Sequence, residues 1–140
     1  MFMKIPNNWK QQTLERLENT NWGNPAEAPT GLVKRCLELT KTPLEHFTAS
    51  DVRIMIEQKT GLFFMVKLAI ELLEEAIFIE ADYFKGDLLQ AVFNIDIEFW
   101  NDHGNFWKTI NAMTRTKPEE IKKHNISYAD FYKTIYCNFN

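Results

Sequence analysis

Glu120 and His124 stand four residues apart, a spacing that puts a carboxylate and an imidazole on one helix face within reach of a metal ion. No third ligand lies near them and both are expected to be exposed, so the pair makes no metal site. His46 and His103 are isolated and read as surface or capping residues rather than general bases. Cys36 lies on an apolar helix face, where a thiol acts as a small hydrophobe, and Cys137 is far along the chain with no CxxC partner. Glu74 and Glu75 are neighbours in sequence and therefore splay apart on a helix. Gly61 and Gly86 carry turn chemistry; no phosphate-binding glycine loop and no GxSxG stretch occurs. These fragments make no constellation. No catalytic residue, cofactor site or metal site is assigned, and the chain reads as a non-enzyme.

The candidate nucleic-acid patch is Lys108, Arg115, Lys117, Lys122 and Lys123 with Trp107 beside them. Glu119 and Glu120 dilute it, and the whole chain carries a net charge of −3, whereas phosphate binding wants a concentrated positive field. Direct nucleic-acid binding is not expected. The acidic residues are far more concentrated. Glu71, Glu74, Glu75, Glu80, Asp82, Asp87, Asp96, Glu98 and Asp102 share a window whose one basic residue is Lys85, so that window carries −8 and the remainder +5. Such an asymmetry can steer a basic partner, although solvated helix faces give the same pattern.

The elements that must position these residues read as helices throughout. No segment alternates with period two, and no Asn-Gly or Asp-Gly hairpin turn occurs. With 140 residues, 45% apolar and 25% charged, the chain has one domain's length and an ordinary globular composition. The reading is an all-α domain of seven or eight short helices over residues 1–140. Its central helix lies near 62–79, where apolar residues at 62, 65, 66, 69, 72, 73 and 76 make a buried stripe. Lys67 and Glu71 pair weakly on its other side, and the helix frays from Ile77 to Ala81. Those charges, with Glu74 and Glu75, make the same run unfit to span a membrane.

Around it, Trp9 to Glu18 reads as one short helix and Gly31 to Leu39 as another, with Leu32, Val33, Cys36, Leu37 and Leu39 apolar. Thr48 and Asp51 have the spacing of a capping box, and Gly61 sits where a left-handed residue would end the helix they start. Asp82 to Gly86 is a turn, Asp87 opens the next helix, and Asp96 can cap a third that carries Phe99 and Trp100. Helices follow from about Asn105 to Arg115 and from Pro118 to near His124. Ser127 and Asp130 suggest a second capping box, before an aromatic face of Tyr128, Phe131, Tyr132, Ile135, Tyr136 and Phe139. That face is expected to dock on the core. Should it instead meet a second chain, the protein would be a helical homodimer or adaptor. Two thiols and an opening Met1 to Pro6 without a long apolar run fit a reducing cytoplasm.

The ordered set from Lys34 to Trp100 resembles the immunity proteins of bacterial contact-dependent growth inhibition (CDI) systems. It comprises Val33-Lys34-Arg35-Cys36-Leu37, Lys41-Thr42-Pro43-Leu44, Asp51-Val52-Arg53-Ile54-Met55-Ile56 with Gln58, and Gly61-Leu62. It continues with Lys67-Leu68-Ala69-Ile70, Tyr83-Phe84, Gly86-Asp87-Leu88-Leu89 and Phe99-Trp100. Lys67 and Lys85 depart from the family pattern, which often has proline at both places. The resemblance implies a cytoplasmic antitoxin without enzymatic activity or cofactor. It would bind, one to one, the C-terminal toxin domain of a surface-delivered effector, commonly a nuclease and in some systems a ribonuclease. It also implies that Gly61, Gly86, Asp87, Leu88 and Leu89 build the scaffold. The acidic band then supplies the expected toxin-binding residues, which are Glu71, Glu74, Glu75, Glu80, Asp82, Tyr83, Asp96 and Glu98.

Overall fold

The computed structural model describes residues 5–134. Among them eight α-helices follow one another: α1 (Leu14–Glu18), α2 (Gly31–Thr40), α3 (Ala49–Glu57), α4 (Leu62–Glu75), α5 (Asp87–Phe93), α6 (Ile97–Asp102), α7 (Gly104–Thr114) and α8 (Pro118–Lys123). The one β feature among the described residues is a bridge between Glu80 and Lys85. The fold is all-α, as the sequence pattern predicts.

α4 is the central helix. It packs against α3, α5 and α7, and α3 also packs against α5. Phe64, Met65, Val66, Leu68, Ala69 and Leu73 bury its inner faces. Phe63 and Ile70, half-buried, widen the stripe, and the helix is covered on more than one side, as the sequence suggests. The helix is shorter than predicted. Ala76 turns extended at φ −152° and ends the helix at Glu75, and Ile77, Phe78 and Ile79 then pack as a half-buried strap instead of a frayed last turn. Lys67 does not pair with Glu71. Its ammonium lies 5.1 Å from the Trp9 ring centre, and Glu71 is bonded to Lys10.

α3 begins as predicted. Thr48 Oγ1 accepts from the Asp51 amide at 3.2 Å, and the Asp51 carboxylate accepts from the Thr48 amide at 3.0 Å. Its end differs. Lys59 is the left-handed residue, at φ 57°, and the amides of Thr60 and Lys59 donate to the carbonyls of Met55 and Ile56. Gly61, also left-handed, is instead the residue from which α4 starts, and the Leu14 side chain lies directly against it. Trp9 to Glu18 is likewise not one helix. Extended Thr13 separates a 3-10 turn, Trp9–Gln11, from α1 and caps α1 through the Arg16 amide. α2 has the predicted span, but Leu32 and Val33 are exposed because that helix lies at the periphery and buries only its last turn.

The aromatic residues build the far end of the core. Phe131 is fully buried against Phe93, Trp100 and Trp107, and the Trp107 indole N–H donates to the Phe131 carbonyl at 2.8 Å. This corrects the predicted C-terminal helix within the described residues. Ala129 is left-handed, at φ 48°, Ser127 Oγ accepts from the Ala129 amide, and only the 3-10 turn Phe131–Lys133 forms. Asp130 pairs with Lys133 and makes no capping box. Tyr128, Phe131 and Tyr132 pack on the chain's own core, while Ile135, Tyr136, Cys137 and Phe139 lie outside the described residues.

Candidate functional site

The last turns of α4 present Glu71, Glu74 and Glu75 to solvent. Glu71 is joined to Lys10 of the N-terminal 3-10 turn. Glu74 and Glu75 form no ion pair among the described residues. Glu71 and Glu75 share one groove with Glu45, whereas Glu74 does not line it.

Beyond α4, residues 80–86 form a tight hairpin. The Gly86 amide donates to the Ile79 carbonyl, closing the loop, and Gly86 adopts φ 93° with Ile126 packed where a Cβ would stand. Asp87 opens α5 from inside the core, at 3% exposure. Its carboxylate does not cap its own helix. It accepts from the amides of Ala81, Asp82 and Tyr83 at 2.7, 2.8 and 2.8 Å. Burial pushes its carboxyl up, but the backbone amides of Tyr83, Ala81, Asp82 and Phe84 together outweigh burial and hold it below its ordinary value. It therefore stays ionised and fixes the hairpin from beneath.

Arg53 fixes the same hairpin from the side. Its side chain is almost fully buried, its Nε donates to Asp82 at 2.7 Å, and its Nη1 pairs with Glu57 at 2.7 Å. Ser50 also donates to Asp82. The guanidinium carbon lies 4.8 Å from the centre of the Tyr83 ring. Asp82 is thus neutralised within the fold, but Tyr83 is held with 76% of its surface exposed and Phe84 with 42%. An exposed aromatic pair on so constrained a loop is a preformed knob. Glu80 sits beside it without an ion pair among the described residues.

Asp96 and Glu98 stand at the start of α6. Asp96 makes no side-chain cap for α6; its carboxylate instead pairs with Lys59 at 3.0 Å, beside a cleft lined by Glu57, Leu62 and Ile95. Glu98 is exposed in the first turn of α6. The predicted residues come from three stretches of the chain. Glu71, Glu74 and Glu75 end α4, Glu80, Asp82 and Tyr83 form the knob, and Asp96 and Glu98 start α6.

The other candidate chemistries look different in three dimensions. His103 is the N-cap residue of α7, as a capping residue was expected, but without a side-chain cap bond: its ring stacks with Phe99 and Phe106 and lies 5.7 Å from that of Phe63, and its Nδ1 lies 2.9 Å from the Phe99 carbonyl oxygen. The His124 ring lies 4.4 Å from that of Phe78. Among the described residues no group of three or more His, Cys, Asp or Glu is placed to hold a metal. Trp107, the aromatic member of the basic patch, is wholly buried and unable to stack on a base. Among the described residues no helix is long and apolar enough to cross a membrane.

Sequence reasoning missed Arg53, Phe84 and Glu45. Arg53 had a signal, since a lone cation inside the apolar run Val52 to Ile56 needs a buried partner. Phe84 follows Tyr83 in a turn too short to bury both. Glu45 had none, because its groove exists only once the turn Leu44–His46 lies along α4.

Comparison with known proteins places the chain in a family. A family model described as CDI immunity proteins matches residues 16–110, about two thirds of the chain, from α1 through most of α7. No curated protein and no solved structure matches. The matched span contains α4, the knob and the residues that lock it, and on that match the chain belongs to the CDI immunity proteins, a family whose role is that of antitoxin toward a cognate CDI toxin.

Proposed function

We propose that this chain neutralises the C-terminal toxin domain of its cognate CDI effector by covering a basic, substrate-binding cleft with the acidic surface around the Tyr83 knob. The toxin on this reading is a nuclease, such as a ribonuclease, whose cleft is positive because its substrate is a polyanion. The complex is one to one, forms in the cytoplasm, and involves binding alone, without catalysis by this chain or contact with nucleic acid.

The observation that carries the reading is the pre-organised aromatic pair Tyr83–Phe84, exposed on a hairpin locked by Asp87 and Arg53. Rigid aromatic anchors supply contact area at little entropic cost, and they dominate binding energy where they seat in a pocket. The exposed carboxylates Glu74, Glu75 and Glu80 supply steering and register. Glu71, Asp82, Asp96 and Glu98 remain contact candidates. Three of these already have a partner within the fold and would contribute as neutralised pairs, with smaller effects on association.

Charge reversal tests this directly. The variant E74K/E75K/E80K should lower the association rate with the toxin domain at least ten-fold at low salt and leave the melting temperature unchanged. Y83A should mainly speed dissociation, costing about 2 kcal/mol or more of binding. Unchanged binding kinetics in both variants would contradict the assignment of this surface.

A further inference from the structure

A groove separate from the knob runs between α4 and the 3-10 turn Leu44–His46. Phe47 and Leu72, both half-buried, give it an apolar wall, while Glu45, Glu71, Glu75 and Lys10 stand at its rim. It encloses about 300 Å³, room for one long side chain and not for a helix of about 10 Å diameter.

The charges on the rim do not balance. Lys10 is joined to Glu71. Glu45 has two weak exposed neighbours, the Gln11 amide at 3.3 Å and His46 at 3.8 Å, the latter a cation only when protonated. Glu75 pairs with no cation among the described residues. The groove thus combines an apolar wall with two carboxylates that lack a permanent positive charge.

The complementary group has an aliphatic stem and a cationic head, as arginine and lysine do. We infer that the groove receives one arginine or lysine side chain of the toxin domain, with its stem against Phe47 and Leu72 and its head on the carboxylates of Glu45 and Glu75. This rests on the proposed antitoxin reading and adds a second, chemically defined seat to that of the aromatic knob. A basic nuclease domain has such side chains in abundance around its substrate cleft. Long-range attraction acts on association, whereas a desolvated cation held by two carboxylates acts on dissociation.

The test uses the full chain and its complex with the cognate toxin domain. Water-soluble carbodiimide with a small amine labels accessible carboxylates. Glu45 and Glu75 should label at least ten-fold more slowly in the complex, while Glu119 and Glu120 label as in the free protein. The variant E45Q/E75Q should dissociate about ten- to a hundred-fold faster with an unchanged melting temperature, and E119Q/E120Q should dissociate like the native chain. If the complex forms but Glu45 and Glu75 label at the free rate, or E45Q/E75Q dissociates like the native chain, the groove assignment is overturned and the antitoxin reading stands. If the native chain forms no complex, both fall.

Discussion

A carboxylate at 3% exposure needs a full set of donors, and Asp87 finds them in the loop before its helix rather than in the helix itself. Replacing one of its oxygens with an amide NH₂ turns an acceptor toward backbone N–H groups into a donor. D87N should therefore lower stability by about 1–3 kcal/mol in denaturant unfolding. The pH dependence has a definite sign. Because the folded carboxyl lies below its ordinary value of 3.8, its contribution is complete above that value and is lost as the pH falls through the folded pKa. In acid unfolding the native chain should lose stability over that range, and D87N should lose less. Arg53 belongs to the same lock. Removing its charge in R53M leaves two solvent-accessible carboxylates, Asp82 and Glu57, without their shared partner and should cost on the order of 1–2 kcal/mol. At this scale the sequence is legible where the partner is local. The Thr48–Asp51 box closes over three residues, so its letters suffice. Asp82 lies 29 residues from Arg53, and no spacing rule connects them.

Helix ends show the same limit at the scale of the element. α3 and α4 were legible from capping residues and periodicity, because both signals are short-range. The stop of α4 was not, because Ile77 to Ile79 leave the helix to pack Phe78 on His124, which the chain brings back much later. Ser127 and Asp130 have the letters of a capping box, yet a left-handed Ala129 between them and the Trp107 bond to the Phe131 carbonyl commit that segment to a turn. The glycines separate conformation from composition. A Cβ on Gly86 would meet Ile126 Cδ1 at 2.4 Å at a positive φ, and one on Gly61 would meet Leu14 Cδ1 at 2.8 Å, also at a positive φ. G86A and G61A should each lower stability by about 2–4 kcal/mol, from left-handed strain and overpacking. Gly31 has open space around its Cα and no positive φ, so G31A should be neutral or stabilising by up to about 1 kcal/mol. Equal effects at all three positions in chemical denaturation would contradict this packing.

On the scale of the whole molecule, the charge asymmetry visible in the sequence survives folding only in part. Asp87 of the −8 window is buried, and Lys10, Arg53 and Lys59, drawn from elsewhere in the chain, each neutralise one of its other members. What faces outward is an exposed aromatic knob, the carboxylates Glu74, Glu75 and Glu80, and the groove at Glu75. The family match covers the scaffold that holds them and does not extend to the partner they meet. A steered encounter should slow steeply with ionic strength, as exposed charges are screened beyond about 10 Å at 0.1 M salt, while dissociation from an aromatic anchor should change little. Stopped-flow association between 20 and 500 mM salt would separate the two terms.

An antitoxin disarms its toxin by binding it. The most direct measurement is co-expression with the C-terminal domain of the effector encoded beside this chain, followed by co-purification and a growth assay. We expect a stable one-to-one complex, and a domain that arrests growth when expressed alone but not together with this chain. A harmless domain, or one that arrests growth equally in the presence of this chain and does not co-purify with it, would overturn the antitoxin role.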